Sequence, residues 1–163
     1  SLSVLAETGE KRGLNISLAF EITDRNGEEK CEASLNEKLE ALEKYSRSRH
    51  VHPTVGMHAS FTLSDESLKK IHDAVSSLDS WGIHIHVSED IADEHDAAKR
   101  GYGSVLERLN QFDLLNQNSL IIHGLHIKET DVNLIGELNA MFVHNPSSNA
   151  NNRVGMTPNS NLD

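Results

Sequence analysis

Apolar residues alternate strictly with small or polar ones over residues 14–22. That period of two predicts a strand. Before it, Leu2, Val4, Leu5 and Ala6 lead into Glu7, Glu10, Lys11 and Arg12, which reads as the end of a helix stopped by Gly13. After it, Asp24-Arg25-Asn26-Gly27 is turn chemistry. Over residues 30–45 the spacing becomes helical, with Leu35, Leu39 and Leu42 on one side. His52-Pro53 breaks the chain, and the residues just before it read as a polar linker. Residues 54–61 read as a second strand. Ser64-Asp65-Glu66 then opens a helix whose buried stripe is Leu68, Ile71, Val75 and Leu78. A third strand is expected over 82–87, and two helices near 93–100 and 103–111. A fourth strand (119–123), a helix (130–139) and a fifth strand (140–144) follow. From Asn145 onward Asn, Ser, Gly and Pro dominate. This tail reads as a loop whose first part is ordered around a ligand.

The rhythm is a helix followed by repeated strand-helix units with no hairpin signal. It predicts an α/β fold with a parallel sheet and right-handed crossovers. Two architectures fit, an open doubly wound sheet and part of a (β/α)8 barrel. The 163 residues amount to one domain, whereas a closed barrel typically takes about 250 residues. In both architectures chemistry collects at the carboxyl ends of the strands.

Charge narrows the partners. Lys plus Arg is 15 and Asp plus Glu is 25, a net charge of −10. That balance argues against nucleic acid or an anionic membrane as the main partner. No apolar run approaches the roughly 20 residues that span a bilayer. One cysteine, Cys31, leaves no internal disulfide and points to a reducing, cytoplasmic setting. The chain has no signal peptide and no initiator Met, so it is expected to be processed or excerpted from something longer.

Ten histidines change the picture most, because histidine is the commonest metal ligand. His58 lies in the second expected strand, and His84 and His86 in the third, with Glu89 just past its end. His123 ends the fourth, and His144 ends the fifth. Four consecutive strands thus place a histidine at or near the carboxyl end. Parallel strands bring those ends together on one rim, about 5 Å apart, where imidazoles can share a divalent metal. Alternation puts His84, His86 and Ser88 on one face and Ile83, Ile85 and Val87 on the other. His86 is nearer the rim and is the better ligand; His84 lies one layer deeper. Glu89 can reach a bound water, the position of a general acid/base. His50, His52, His72 and His95 read as surface or packing residues, and His126 as a turn residue or a support behind the site. Cys31 reads as structural. The run Asp90, Asp93, Glu94 and Asp96 reads as a solvated, helix-capping stretch. There is no phosphate-cradling glycine loop and no nucleophile elbow.

Several segments occur in a familiar order. They are Phe20-Glu21-Ile22-Thr23-Asp24-Arg25-Asn26-Gly27, Gly56-Met57-His58-Ala59-Ser60-Phe61-Thr62-Leu63-Ser64, and Gly82-Ile83-His84-Ile85-His86-Val87-Ser88-Glu89. Ile122-His123-Gly124 and Val143-His144-Asn145-Pro146-Ser147-Ser148-Asn149 complete the set. Together they resemble the amidohydrolase superfamily, on its chlorohydrolase and aminohydrolase branch. The resemblance implies a metal-dependent (β/α)8 barrel. It implies that His86 is the metal-binding histidine of the fifth barrel strand, that Glu89 is the acid/base, and that His123 is the sixth-strand histidine, which contacts metal, water or substrate. It gives His58 to substrate binding, together with His144, Asn145 and Asn149 of the loop after the seventh barrel strand, whose role is partly structural. The implied cofactor is a divalent metal, zinc first and iron second. The implied reaction is hydrolysis of a C–N or C–Cl bond on a heterocyclic or amidine-like small molecule.

The departures are specific. The family's first-strand His-x-His is absent, since His50-Val51-His52 precedes the fourth barrel strand and His84-Ile85-His86 belongs to the fifth. Asp163 follows Asn149 too closely to be the eighth-strand aspartate. Residues 1–163 are therefore expected to be the central portion of a partial barrel, strands three to seven, inactive alone. Two open sheet edges leave a homo-oligomer as an open expectation. The alternative is a non-catalytic α/β domain that binds a metal or small ligand at a histidine-lined rim.

Overall fold

The structure is a computed structural model that describes residues 2–155. Asp163 and the end of the asparagine-rich tail lie outside the described residues. Helix α1 (Leu2–Arg12) ends at Gly13, whose φ of +64° suits glycine. Strand β1 (Ile16–Leu18) leads to α2 (Glu28–Tyr45), and β2 (Val51–Pro53) runs through Thr54 into β3 (Val55–Ala59). Then come α3 (Asp65–Val75), β4 (Ile83–Val87), α4 (Ile91–Lys99), α5 (Val105–Gln111), β5 (Leu120–His123), α6 (Glu129–Leu138), β6 (Met141–Val143) and α7 (Pro146–Asn152).

Every strand pair is parallel, as the alternation of elements required. β1 pairs with β2, and β3-β4-β5-β6 form a four-stranded sheet in sequence order. One extended segment joins the two. Thr54 N donates to Leu18 O at 2.8 Å, and Val55 N donates to Gly82 O at 2.8 Å. At Thr54 the segment thus leaves β1 for β4. Strand β2 corrects the expectation of a polar linker around His52. Val51 is fully buried, and Pro53 sits at the strand end, where the next residue supplies the donor.

The strand expected over 14–22 is shorter, Ile16–Leu18, with a single further bridge from Ile22 to Met57. The backbone of Phe20 lies over Gly56. A Cβ at Gly56 would stand 2.3 Å from Phe20 O, so this crossing requires glycine. The tail also differs from expectation. Pro146, at the first helical position, opens α7, where its fixed φ suits a helix start.

The core lies on one face of the sheet. Val55, Met57, Ile83, Ile85, Val87 and Ile121 pack with Leu68, Ile71 and Val75 of α3, Leu106 and Leu109 of α5, and Ile135 of α6. The other face carries His84 and His86, both half-buried. Ser64 caps α3, its hydroxyl accepting from Ser67 N.

Candidate metal centre

Strand β4 delivers His86 to the rim on its open face, and the turn that follows delivers Glu89. That turn needs Ser88 at φ +50°. Strand β5 ends on His123, itself at φ +75° and followed by Gly124 at +60°. Non-glycine residues in this region are uncommon and cluster at functional sites. The result is a convergence. His86, Glu89 and His123 each offer one ligand atom, and those atoms lie within 4.8 Å of one another. His123 Nε2 stands 3.1 Å from His86 Nδ1. Glu89 Oε2 stands 3.6 Å from His123 Nε2 and 3.9 Å from His86 Nδ1. Two imidazoles and a carboxylate form a donor set suited to zinc or iron. Burial, aided by the neighbouring His123, holds His86 below its ordinary pKa. The neutral imidazole that a metal requires is therefore favoured.

His123 is almost completely buried, and its Nδ1 meets Asn149 Oδ1 of α7 at 2.7 Å. An amide oxygen only accepts, so that contact places the ring proton on Nδ1. Nε2 is left with its lone pair toward His86 and Glu89. Asn149 is itself fully buried. It thus packs against His123 as the partner of its Nδ1. One turn on, Asn152 Nδ2 donates to Glu89 Oε1 at 3.1 Å.

The other expected residues fall at different distances from this centre. His58, the last residue but one of β3, has its ring stacked on His86, centroids 6.1 Å apart, and its Nδ1 3.3 Å from Thr62 Oγ1. His84 lies behind His86, with ring centroids 6.5 Å apart. His144 is exposed, and Asn145 is the N-cap residue of α7 without a side-chain capping bond. His144 is not one of the three converging donors. His126 donates its backbone N–H to Ser88 O at 3.1 Å, tying the turn after β5 to the turn after β4.

The acidic run after Glu89 is not a solvated stretch. Asp90 caps α4 by accepting from Ala92 N, but Asp93 and Glu94 are buried. Asp93 Oδ2 accepts from Glu89 N at 3.1 Å, and Ser88 Oγ donates to Glu94 Oε1 at 2.5 Å. The first turn of α4 folds back onto the strained turn and holds it with two carboxylates. Burial pushes the Asp93 carboxyl up to about 6.

Arg108 is a further support that sequence reasoning missed. It is fully buried in α5, and all five of its N–H groups are used. Nε and Nη2 bond Asp65 Oδ1 at 3.0 and 2.6 Å. Nη1 bonds Ser60 O and Oγ at 2.6 and 2.8 Å, and Nη2 bonds Leu63 O at 2.8 Å. Tyr102 donates to Asp65 Oδ2 at 2.8 Å. This network fixes the turn that follows His58. A signal was present, because Arg108 lies three residues after Val105 on the apolar stripe of α5.

Residues 3–161 match the Amidohydrolase family. The chain is 27% identical over 161 residues to a 5′-deoxyadenosine deaminase of Methanococcus vannielii, covering 96% of this chain and 38% of that protein. It is 30% identical over 157 residues to a 5-methylthioadenosine/S-adenosylhomocysteine deaminase of Thermococcus kodakarensis, covering 94% of this chain and 37% of that protein. In fold it is similar to a zinc-bound adenosine deaminase from Xanthomonas campestris. The TM-score is 0.84 at 20% identity, over 99% of this chain and 37% of that one. The chain thus spans little more than a third of the length of these relatives. With a parallel α/β fold, a histidine-carboxylate cluster at the strand ends and a match over nearly its whole length, the chain belongs to the amidohydrolase family.

Proposed function

We propose that residues 1–163 are the central portion of a metal-dependent aminohydrolase that releases ammonia from a purine-like heterocycle. The carrying observation is the convergence of His86, Glu89 and His123 at the carboxyl rim of parallel strands. The names of the relatives support the substrate class. His86 and His123 would hold the metal, zinc first and iron second, together with donors from outside these residues. When bound, the metal lowers the pKa of its water toward about 7, so that hydroxide is available at neutral pH.

Glu89 takes a proton at Oε2 and returns it to the departing amine as general acid. His123 keeps its Nε2 lone pair pointed at the centre through Asn149. His58 borders the centre on the β3 side, where it would contact the heterocycle. His144 and Asn145 would line its approach on the α7 side. Asn149 serves by holding His123.

The test is ammonia release from 5′-deoxyadenosine, S-adenosylhomocysteine and guanine by the whole enzyme that contains this segment. Glu89→Gln is expected to lower kcat by at least about 100-fold while zinc content is retained, and His86→Ala to lose zinc. Turnover by Glu89→Gln within about threefold of the parent would overturn the reading. Turnover by the isolated 163 residues would overturn the claim that they are only part of the catalytic unit.

A further inference from the structure

Helix α7 reaches the centre twice. Asn149 bonds His123, and Asn152, three residues on, bonds Glu89. Residues three apart project from the same side of a helix, so one face of α7 holds two of the three converging groups. The helix end is fixed. Arg153 adopts φ +57°, its N–H donates to Ala150 O at 3.3 Å, and Val154 N donates to Asn149 O at 3.2 Å.

The two oxygens of Glu89 have different surroundings. Oε1 accepts from Asn152 Nδ2, and Oε2 faces His86 and His123. The backbone N–H of Glu89 is held separately by Asp93. A carboxylate on two rotatable side-chain carbons otherwise has several orientations open to it. A donor on one oxygen selects the orientation that points the other at the imidazoles.

We infer that Asn152 is a positioning residue for Glu89, anchoring Oε1 so that Oε2 alone is aimed at the reacting centre. The inference rests on the reading of Glu89 as the acid/base. Asn152 makes no contact with the imidazoles in the described hydrogen bonds and acts through Glu89.

Three variants of the whole enzyme test it, each measured for kcat, KM and bound zinc, with Glu89→Gln in parallel. Asn152→Ala removes the donor and is expected to lower kcat about tenfold, in the range for residues that orient a site, with KM within twofold and zinc unchanged. Asn152→Asp keeps the shape but sets a like charge against Oε1, so it is expected to lower kcat more than alanine does. A packing or helix-end role predicts the reverse order, because aspartate is the closer replica. Asn152→Gln keeps an amide donor and is expected to recover most of the loss. Crystals of Asn152→Asp are expected to show the Glu89 carboxylate turned away from His123. Alanine and aspartate variants both within twofold of the parent, with Glu89 in place, would overturn the inference. If Glu89→Gln loses turnover while the Asn152 variants do not, the acid/base reading stands and only this inference falls. If Glu89→Gln keeps turnover, both fall.

Discussion

Replacing Asn149 with alanine isolates the bond that sets the ring proton of His123. In the parent, Asn149 Oδ1 lies 2.7 Å from His123 Nδ1, and both residues are buried. Water does not freely replace the lost acceptor, so the variant leaves a buried N–H unsatisfied at about 1–3 kcal/mol. The ring can escape that cost by moving its proton to Nε2, which removes the lone pair a metal needs. Loss of such an outer partner typically weakens metal binding about 10–100-fold, or about 1.4–2.7 kcal/mol. The two estimates overlap, as they should if one bond carries both effects. The assay is zinc competition against a chromophoric chelator on the whole enzyme, with thermal unfolding of the zinc-free form beside it. Asn149→Asp is the control. It keeps an acceptor, and it sacrifices only an Nδ2 that has no hydrogen-bond partner among the described residues. It is expected to hold zinc within about threefold of the parent, as carboxylate-histidine pairs do. Alanine binding zinc as tightly as the parent would refute the reasoning.

Three further outcomes follow from geometry and charge. Gly56→Ala forces a Cβ to within 2.3 Å of the Phe20 backbone and is expected to lower stability by about 1–3 kcal/mol in denaturant titrations. Gly136→Ala, on the exposed side of α6 with nothing within 4 Å of the new Cβ, is expected to raise stability by up to about 1 kcal/mol. Asp93 is raised from its ordinary 3.8 to about 6 by burial. Between those values the unfolded chain has lost the proton that the folded one keeps, so stability falls as pH rises through this window. The full cost above pH 6 is about 3 kcal/mol at 1.36 kcal/mol per tenfold change in acidity. Asn at position 93 can still accept from Glu89 N without carrying charge. Asp93→Asn is therefore expected to gain stability relative to the parent between pH 4 and 6.5, and equal pH slopes would count against the buried carboxyl.

Much of the site was legible because a parallel strand advertises both its faces. Ile83, Ile85 and Val87 marked the covered side of β4, so His84 and His86 had to occupy the other. Ends of successive strands then put Glu89 and His123 within reach of His86. What escaped the sequence was whatever depends on a return path. Asp93 and Glu94 look like a capping run until α4 is seen to fold back on the turn at Ser88. Asn152 sits among asparagines that carry no period, and only the capped end of α7 gives it a direction. Val51–Pro53 was hidden because a three-residue strand with one inward apolar side chain leaves no alternation to read.

Arg108 carries a consequence for how this scaffold can be altered. Its guanidinium spends every donor on Ser60, Leu63 and Asp65, so α5 and the turn after β3 share one closed set of bonds although they are 40 or more positions apart along the chain. Neither half can open without stranding buried donors and acceptors in the other, which makes them a single cooperative unit for local opening. Exchanging the turn after His58 for that of a relative, as in redesigning selectivity, therefore means transplanting α5 with it. The independently exchangeable segments are the ones that Arg108 does not reach.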